Sequence, residues 1–369
     1  MNKEYDIIVV GAGPGGSVAA KTAAENGFST LLLEKERISE KGRYKACGGA
    51  MAWELVEEVD FPEEKIARII ESLELHHTDG TTYSKKGKGA VVWRCVFDKF
   101  LTDMALDSGA VLKENEPLIA INKNDLGYEI FTDKDKYHAT YVMAADGVTS
   151  KTLKLLQWPY FKSEDLCLTI TKEMKSTKAK IEENLGQDAV HLFFGKEDLI
   201  PVGYAWLFPK NDTITVGWGN QIKLVKNSRE EFKKFEDLSF VQEALKGAVQ
   251  QIFQPHMIPV GLRPKLYDDK VFAVGDAGGI VDPISGKGIP YAMLSGQIAV
   301  ETLIKCQKRD KLPKLGSQYE RALDRKFLKV LKAKRVAREK IFQSEENLKK
   351  FLSLWETHRS SEIVMRKLL

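Results

Sequence analysis

The chain has 369 residues, 43% hydrophobic and 29% charged, with a formal net charge of +4. That length is too great for one small core and implies two or three lobes, and no run approaches the roughly 18 apolar residues of a membrane span. Acids at Glu4 and Asp6, where a secretory leader would be basic, point to a cytoplasmic protein.

The chain opens with an apolar strand, Tyr5-Asp-Ile-Ile-Val-Val10. Then come Gly11-Ala-Gly-Pro-Gly-Gly16, a helical run, and a second strand, Thr30-Leu-Leu-Leu-Glu34, ending on an acid. This order of strand, glycine turn, helix, strand and acid is the βαβ unit that binds an ADP moiety. Gly11 permits the tight turn, Gly13 lets the backbone approach a pyrophosphate, and Gly16 lets the helix pack on the sheet. The helix N-terminus, at Pro14 and Gly15, then faces the phosphates. Glu34 lies 18 residues beyond Gly16, where it would accept hydrogen bonds from a ribose diol, with Lys35 beside it.

After Glu34 the regular alternation stops, so the first domain is interrupted. Tyr44-Lys-Ala-Cys-Gly-Gly49 stands where the chain should turn back. His76-His77 shows no metal-ligand pattern and is expected to pack or lie on the surface. From Val91, the run VVWRCVFDKFLTDMALDSGAVL places Phe97, Leu101, Met104 and Ala105 at helical spacing behind Arg94. An apolar strand follows over residues 139–150, ending in Asp146-Gly147.

The middle is richer in strands. Residues 189–194, 204–209 and 213–219 alternate at period two, with Lys210-Asn-Asp212 as a turn. Tyr204, Trp206 and Phe208 project from one face of their strand. Such a stripe either packs into a core or forms an apolar wall. Lys270-Val-Phe-Ala-Val-Gly-Asp276 is a further strand ending in Gly275-Asp276, followed by AGGIVDPISGKGI to Ile289 and a helix. Gly278 and Gly279 are expected to open a helix and leave N–H groups for an anion. The plainer reading of Asp146 and Asp276 is a strand-end turn residue.

The tail is basic. From Lys305 onward there are 19 Lys/Arg against 8 Asp/Glu, a net of +11. Residues 314–342 show a helical stripe of Tyr319, Leu323, Phe327, Val330, Leu331 and Ile341. It reads either as a membrane-surface helix that collects a lipid or, preferably, as a helix capping the substrate domain. No nucleic-acid module is evident. Four cysteines far apart without CxxC argue against a disulfide framework, a zinc ribbon or a dithiol centre.

The N-terminal unit, the Arg94 helix and the two strands ending in Asp146 and Asp276 resemble the FAD-binding domain of flavoproteins built like p-hydroxybenzoate hydroxylase. The resemblance implies FAD, with Arg94 at its phosphates or ribose, Asp146-Gly147 on a second fingerprint, and Gly275-Asp276 near the ribityl and pyrophosphate. It also implies that Gly286, Gly288 and Ile289 pass close to the isoalloxazine ring, and that Cys47 and Gly48 adjoin it. No second GxGxxG occurs, so the electron donor is expected to bind transiently, as a ferredoxin-like protein or a reduced nicotinamide.

KACGG, PVGYAWLFP and GDAGGIVDPISGKGI together look like the geranylgeranyl reductase family, although Lys287 and Pro290 depart from its usual pattern. The implied fold is α/β plus antiparallel β. A Rossmann-like FAD-binding domain (1–75, 90–155, 268–310) would carry an inserted antiparallel-sheet substrate domain (76–89, 156–267) and a C-terminal helical segment (311–369). The implied activity is saturation of isolated double bonds of a prenyl chain, on a diphosphate, phospholipid, quinone or chlorophyll-type carrier. Hydride would come from reduced flavin N5, with protonation of the alkene. Tyr204, Trp206 and Phe208 would line the substrate tunnel and stabilise cationic character by about 0.5–2 kcal/mol per ring.

A free thiol, with a pKa of about 8.5, is mostly protonated at neutral pH, so Cys47 or an ordered water near it is the candidate proton donor. Equally, Cys47 is a small residue that merely lets Gly48 and Gly49 pass under the ring. The competing readings are an aromatic monooxygenase or halogenase on the same scaffold, and a non-catalytic prenyl-binding protein.

Overall fold

The computed structural model describes residues 3–39, 44–195 and 199–357. The strands are β1 (Lys3–Val10), β2 (Thr30–Leu33), β3 (Ala50–Ala52), β4 (Arg68–His77), β5 (Thr82–Val91), β6 (Val111–Lys113), β7 (Leu118–Lys123), β8 (Tyr128–Thr132), β9 (Lys136–Ala144), β10 (Leu166–Lys175), β11 (Ala189–Phe194), β12 (Gly203–Pro209), β13 (Thr213–Gln221), β14 (Val249–Pro259), β15 (Tyr267–Asp268) and β16 (Val271–Ala273). The α-helices are α1 (Pro14–Glu25), α2 (Trp53–Glu58), α3 (Arg94–Asp107), α4 (Lys151–Leu155), α5 (Lys178–Leu185), α6 (Ser228–Glu236), α7 (Ser239–Ala244), α8 (Ile289–Lys308), α9 (Leu315–Leu323), α10 (Lys329–Ile341) and α11 (Glu345–Thr357).

Two units result: Met1–Tyr44, Cys95–Asp165 and Pro259–Ala333 form one, and Lys45–Arg94, Leu166–Ile258 and Lys334–Leu369 the other. This division differs from the expected one. Residues 45–75 and 90–94, expected in the cofactor domain, lie in the second unit, and residues 156–165 and 259–267, expected in the substrate domain, lie in the first. Strand pairing is the reason: β4 joins β11 and β5, and β5 joins β3, so the hairpin belongs to the second sheet.

In the first unit the sheet runs β15-β16-β9-β1-β2-β6, with β8 paired to β9 and β7 to β8. β1 has parallel neighbours on both sides, β2 and β9. A strand enclosed on both faces reads as an unbroken apolar run, and Ile7, Ile8 and Val9 are accordingly buried. On one face, β1, α1, α8 and α9 share a core that includes Ile7, Val9, Ala19, Ala299, Leu303 and Tyr319. The other face buries Ile8, Leu31, Ile130, Tyr137, Val142 and Leu153. Helices α1 and α8 cross closely because Gly296 has no side chain: a Cβ there would fall 2.2 Å from the Gly15 carbonyl oxygen.

In the second unit the sheet order is β14-β10-β13-β12-β11-β4-β5-β3. Pairing along β10, β13, β12 and β11 is antiparallel, but β11 and β4 are parallel, so the sheet is mixed where an antiparallel one was expected. Helices α5, α6 and α7 cover one face, closing a core of Ile170, Leu207, Ile214, Val216, Trp218, Phe232 and Phe235.

The helical run of 314–342 contains a π turn at Asp324–Leu328 between α9 and α10. Tyr319, Leu323, Phe327 and Leu331 lie in the first unit's core, and Ile341 is fully buried, so the stripe is used within the protein. Among the described residues no helix is long and apolar enough to cross a membrane.

Candidate functional site

In the first unit, the fingerprint glycines divide into packed and open positions. Gly11 adopts a φ of +103°, and a Cβ there would meet the Ala145 carbonyl oxygen at 2.5 Å. A Cβ on Gly16 would fall 1.8 Å from the Gly11 carbonyl oxygen, and one on Gly15 would fall 2.9 Å from that of Ala292. Gly13 differs, since a Cβ there meets nothing within 4 Å. Pro14 then opens α1 at its first turn, where backbone N–H groups have no intrahelical acceptor and the dipole is positive. An open glycine before a helix N-terminus is the geometry a pyrophosphate needs.

Glu34 is 3% exposed, and its carboxylate accepts the N–H groups of Ala12 at 2.9 Å and Glu36 at 3.1 Å. It therefore braces the glycine turn from the end of β2. A carboxylate offers about four acceptor sites, so bracing is compatible with the ribose contact implied by the fingerprint. Lys35, by contrast, is exposed.

The two strand-end aspartates behave differently. Asp146 accepts hydrogen bonds from the hydroxyl of Ser150 and from both the N–H (2.8 Å) and hydroxyl (2.9 Å) of Thr152. It ties down the entry to α4, the turn role its plainer reading gave it. Burial raises its pKa and these hydrogen bonds oppose the rise. Gly147 follows at a φ of +82°.

Asp276 makes no side-chain hydrogen bond or ion pair with any other described residue. It lies in a short 3₁₀ turn, Gly275–Gly278, ended by Gly279 at a φ of +75°. The expected helix at Gly278-Gly279 is therefore absent: the Gly279 N–H is bonded to the Asp276 carbonyl at 3.1 Å. The helix, α8, begins ten positions later at Ile289 with Gly288 as its N-cap and Pro290 in its first turn. A proline fits there because the first-turn N–H groups lack partners anyway. A Cβ at Gly288 would fall 3.4 Å from Asp276 Oδ1. Gly286 has a φ of +67° and donates to the Asp282 carbonyl at 2.9 Å. An open Gly13, a helix N-terminus and an unengaged Asp276 carboxylate fit a flavin dinucleotide.

In the second unit the strand register decides what the aromatic stripe does. Ala205 and Leu207 face the helix-covered core, which puts Tyr204, Trp206 and Phe208 on the opposite face. The stripe is thus outside the core closed by α5, α6 and α7. Its rings are spaced 5.8 Å (Tyr204–Trp206) and 6.4 Å (Trp206–Phe208) between centroids. Gly217 of β13 stands opposite Trp206. A Cβ on it would fall 2.0 Å from the indole, so Trp206 lies flat across that strand.

The KACGG loop meets this stripe. A Cβ on Gly48 would fall 2.4 Å from the Phe208 ring and 3.2 Å from Trp206 Nε1, a buried N–H with no hydrogen-bond partner. Gly49, at a φ of +79°, is pressed on the Val92 carbonyl and accepts the Val92 N–H at 3.0 Å. The structure therefore brings two separate motifs together: Cys47, a partly exposed free thiol, is adjacent in the chain to the residue in contact with the wall. Arg94, at the first position of α3, is 9% exposed.

The same face carries residues that sequence reasoning missed. Arg338 of α10 places Nη2 3.4 Å from Cys167 Sγ and 3.4 Å from the Val202 carbonyl. Burial pushes the Cys167 thiol pKa up, with Arg338 pulling the other way. His77 lies 2.9 Å from carboxylate oxygens of both Asp79 and Glu345. No sequence signal distinguishes Arg338 from the other cations of the tail.

The family model of glucose inhibited division protein A matches residues 6–153. The digeranylgeranylglycerophospholipid reductase of Methanocaldococcus jannaschii is 33% identical over 347 residues, covering 90% of this chain and 85% of its own. The crystal structure of a geranylgeranyl bacteriochlorophyll reductase-like protein from Thermoplasma acidophilum superposes with a TM-score of 0.87 at 24% identity, covering 100% of this chain and 96% of that one. A halogenase in complex with FAD shares the fold, with a TM-score of 0.71 at 16% identity over 98% of this chain and 85% of its own. On this evidence the chain is a flavin-binding oxidoreductase and belongs to the digeranylgeranylglycerophospholipid reductase family.

Proposed function

We propose that this protein saturates the isolated double bonds of the geranylgeranyl chains of a digeranylgeranylglycerophospholipid, using FAD. The observation that carries the reading is the face chosen by Tyr204, Trp206 and Phe208: the helical core is built from the alternate residues of β12, so the three rings lie on the other face, where Tyr204 and Phe208 are half-buried and offer an apolar surface to a ligand. Related reductases bear that substrate in their names.

Gly13 and the first turn of α1 would hold the dinucleotide's pyrophosphate, Glu34 its ribose, and Asp276 its ribityl hydroxyls. When bound and reduced, the flavin supplies a hydride. Hydride alone would leave an unstabilised carbanion on a trialkylated alkene, so a proton must arrive at or before its transfer. Cys47 is the residue we assign to deliver that proton from its Sγ. The stripe excludes water from the prenyl chain and places ring faces beside the carbon on which positive character develops. The electrons come from a transient donor, a ferredoxin-like protein or a reduced nicotinamide.

Two experiments test this. Dithionite-reduced protein is incubated with the phospholipid and the product weighed. A gain of one H₂ per reduced bond is expected, and an unchanged mass refutes the activity. Prereduced Cys47→Ala is then rapidly mixed with the substrate, and flavin reoxidation at the wild-type rate would remove Cys47 from the mechanism.

A further inference from the structure

We propose that Arg338 binds the phosphate of the prenyl substrate's head group, an assignment that deepens the reductase reading and rests on it. Arg338 is 6% exposed, yet forms no ion pair with any described residue. A guanidinium carries five N–H donors, and among the described residues only Nη2 is engaged, by the Cys167 thiol and the Val202 carbonyl. Phe342 lies 6.0 Å from its ring centroid to the guanidinium carbon. A buried cation with neutral partners is costly, and a phosphate is the anion whose geometry its planar fork matches. Lys334, one turn earlier on the same helix face, is 7% exposed.

The position of Arg338 along the sheet matches the substrate's shape. Val202 leads into β12, and two residues on the aromatic stripe begins with Tyr204, continuing through Trp206 to Phe208. From Val202 to Phe208 the strand spans about 20 Å at about 3.3 Å per residue, comparable with an extended geranylgeranyl chain. A phosphate on Arg338 would lay that chain along the three rings. Its distal end would then reach the Phe208 contact with Gly48, next to Cys47. The head group is thus fixed at one end of the wall and the proton source stands at the other.

The test measures binding to FAD-loaded protein by calorimetry, using geranylgeranyl diphosphate, geranylgeraniol and inorganic pyrophosphate with wild type, Arg338→Met and Arg338→Lys. Arg338→Met should weaken the diphosphate ester about 10- to 100-fold and leave geranylgeraniol unchanged, with Arg338→Lys falling between. Equal weakening of ester and alcohol, or of neither, overturns the assignment. Arg338→Lys keeps the charge and most of the volume, so an unaltered ester affinity in that variant is a second refutation should Arg338→Met fail to fold. Inorganic pyrophosphate binding as tightly as the ester, with no affinity for the alcohol, assigns Arg338 to a free anion and refutes the head-group role. Reduction of the ester is scored in parallel. Arg338-dependent binding without turnover defeats the reductase reading alone, and turnover without Arg338-dependent binding defeats this inference alone.

Discussion

Gly48 lies flat against the ring of Phe208: a Cβ on this glycine would stand 2.4 Å from the ring carbon, well inside van der Waals contact. Gly48→Ala must lift the loop or turn the ring, moving Cys47 relative to the stripe. A displacement of about 1 Å is enough to cost on the order of 100-fold in rate. We expect kcat to fall about 10- to 100-fold, and Phe208→Ala in the same chain to restore part of the loss. Single-turnover kinetics on the two variants and their combination check this, and a wild-type rate in Gly48→Ala would show that the contact has no catalytic consequence.

The fingerprint glycines give an opposed pair of outcomes. A Cβ at Gly13 meets nothing within 4 Å, whereas one at Gly16 falls 1.8 Å from the Gly11 carbonyl oxygen. Gly13 also has an ordinary φ of −79°. Gly13→Ala should therefore fold with wild-type stability and lose flavin affinity about tenfold or more, because the methyl stands where a phosphate approaches. Gly16→Ala should instead destabilise the unit before cofactor is considered. Thermal unfolding of the apoproteins and fluorescence titration with FAD separate the two effects.

The first βαβ unit was legible because its signals are local: glycines at fixed spacing, a strand on each side, and an acid at Glu34. The aromatic stripe was legible as a stripe, but its place in the packing was not. Period-two spacing puts three rings on one face without saying which face the helices cover, and the packing of α5–α7 on Ala205 and Leu207 shows that they cover the other one. The domain boundaries were missed for the same reason. Whether β4 pairs within a cofactor domain or with β11 is a choice between distant partners, and nothing in residues 68–77 records it. The helix expected at Gly278 failed because a Gly-Gly pair fits a 3₁₀ turn ended by a left-handed residue as well as it fits a helix start. Arg338 was illegible in principle, since in sequence it is one cation among nineteen in the tail.

A pair of histidines makes stability depend on pH. His191 Nε2 lies 3.1 Å from the Leu185 carbonyl and must donate to it, so its Nδ1 accepts from His76 Nε2 at 3.0 Å. His76 Nδ1 is then left to accept from Thr82 Oγ1 at 3.1 Å. Burial, rather than the hydrogen bonds themselves, favours the neutral form of both rings. Burial, with the neighbouring His191 adding to it, lowers the His76 pKa from 6.5 to about 4, and burial lowers that of His191. An unfolded histidine binds a proton below about 6.5, which the folded His76 refuses until about 4. The unfolded state therefore holds more protons within this window, and stability should fall as pH drops through it and stay level above it. His76→Phe, which keeps the stacking on Phe193, should flatten that decline in Tm between about pH 6.5 and 5. A decline equal to wild type would show that the pair does not titrate as described.

Beside the stripe, Lys210 and Glu173 form an ion pair with side chains only 2% exposed, Nζ lying 3.1 Å from Oε2. The Lys210 Nζ also contacts the Thr215 hydroxyl and stands 3.8 Å over the Trp93 ring. Thr215 is the cross-strand partner of Phe208 and of Glu173, so the pair anchors the Phe208 end of the wall. Breaking a buried ion pair by removing one member costs about 3–5 kcal/mol. Removing both can be near neutral when the volume is refilled. Lys210→Met alone should therefore lower unfolding stability by about 3–5 kcal/mol, and Lys210→Met with Glu173→Met should recover most of it. Urea denaturation of the two variants measures the difference. If the double variant is no more stable than Lys210→Met, the broken pairing with Glu173 is not the source of the loss, and the other contacts of Lys210, with Trp93 and Thr215, are.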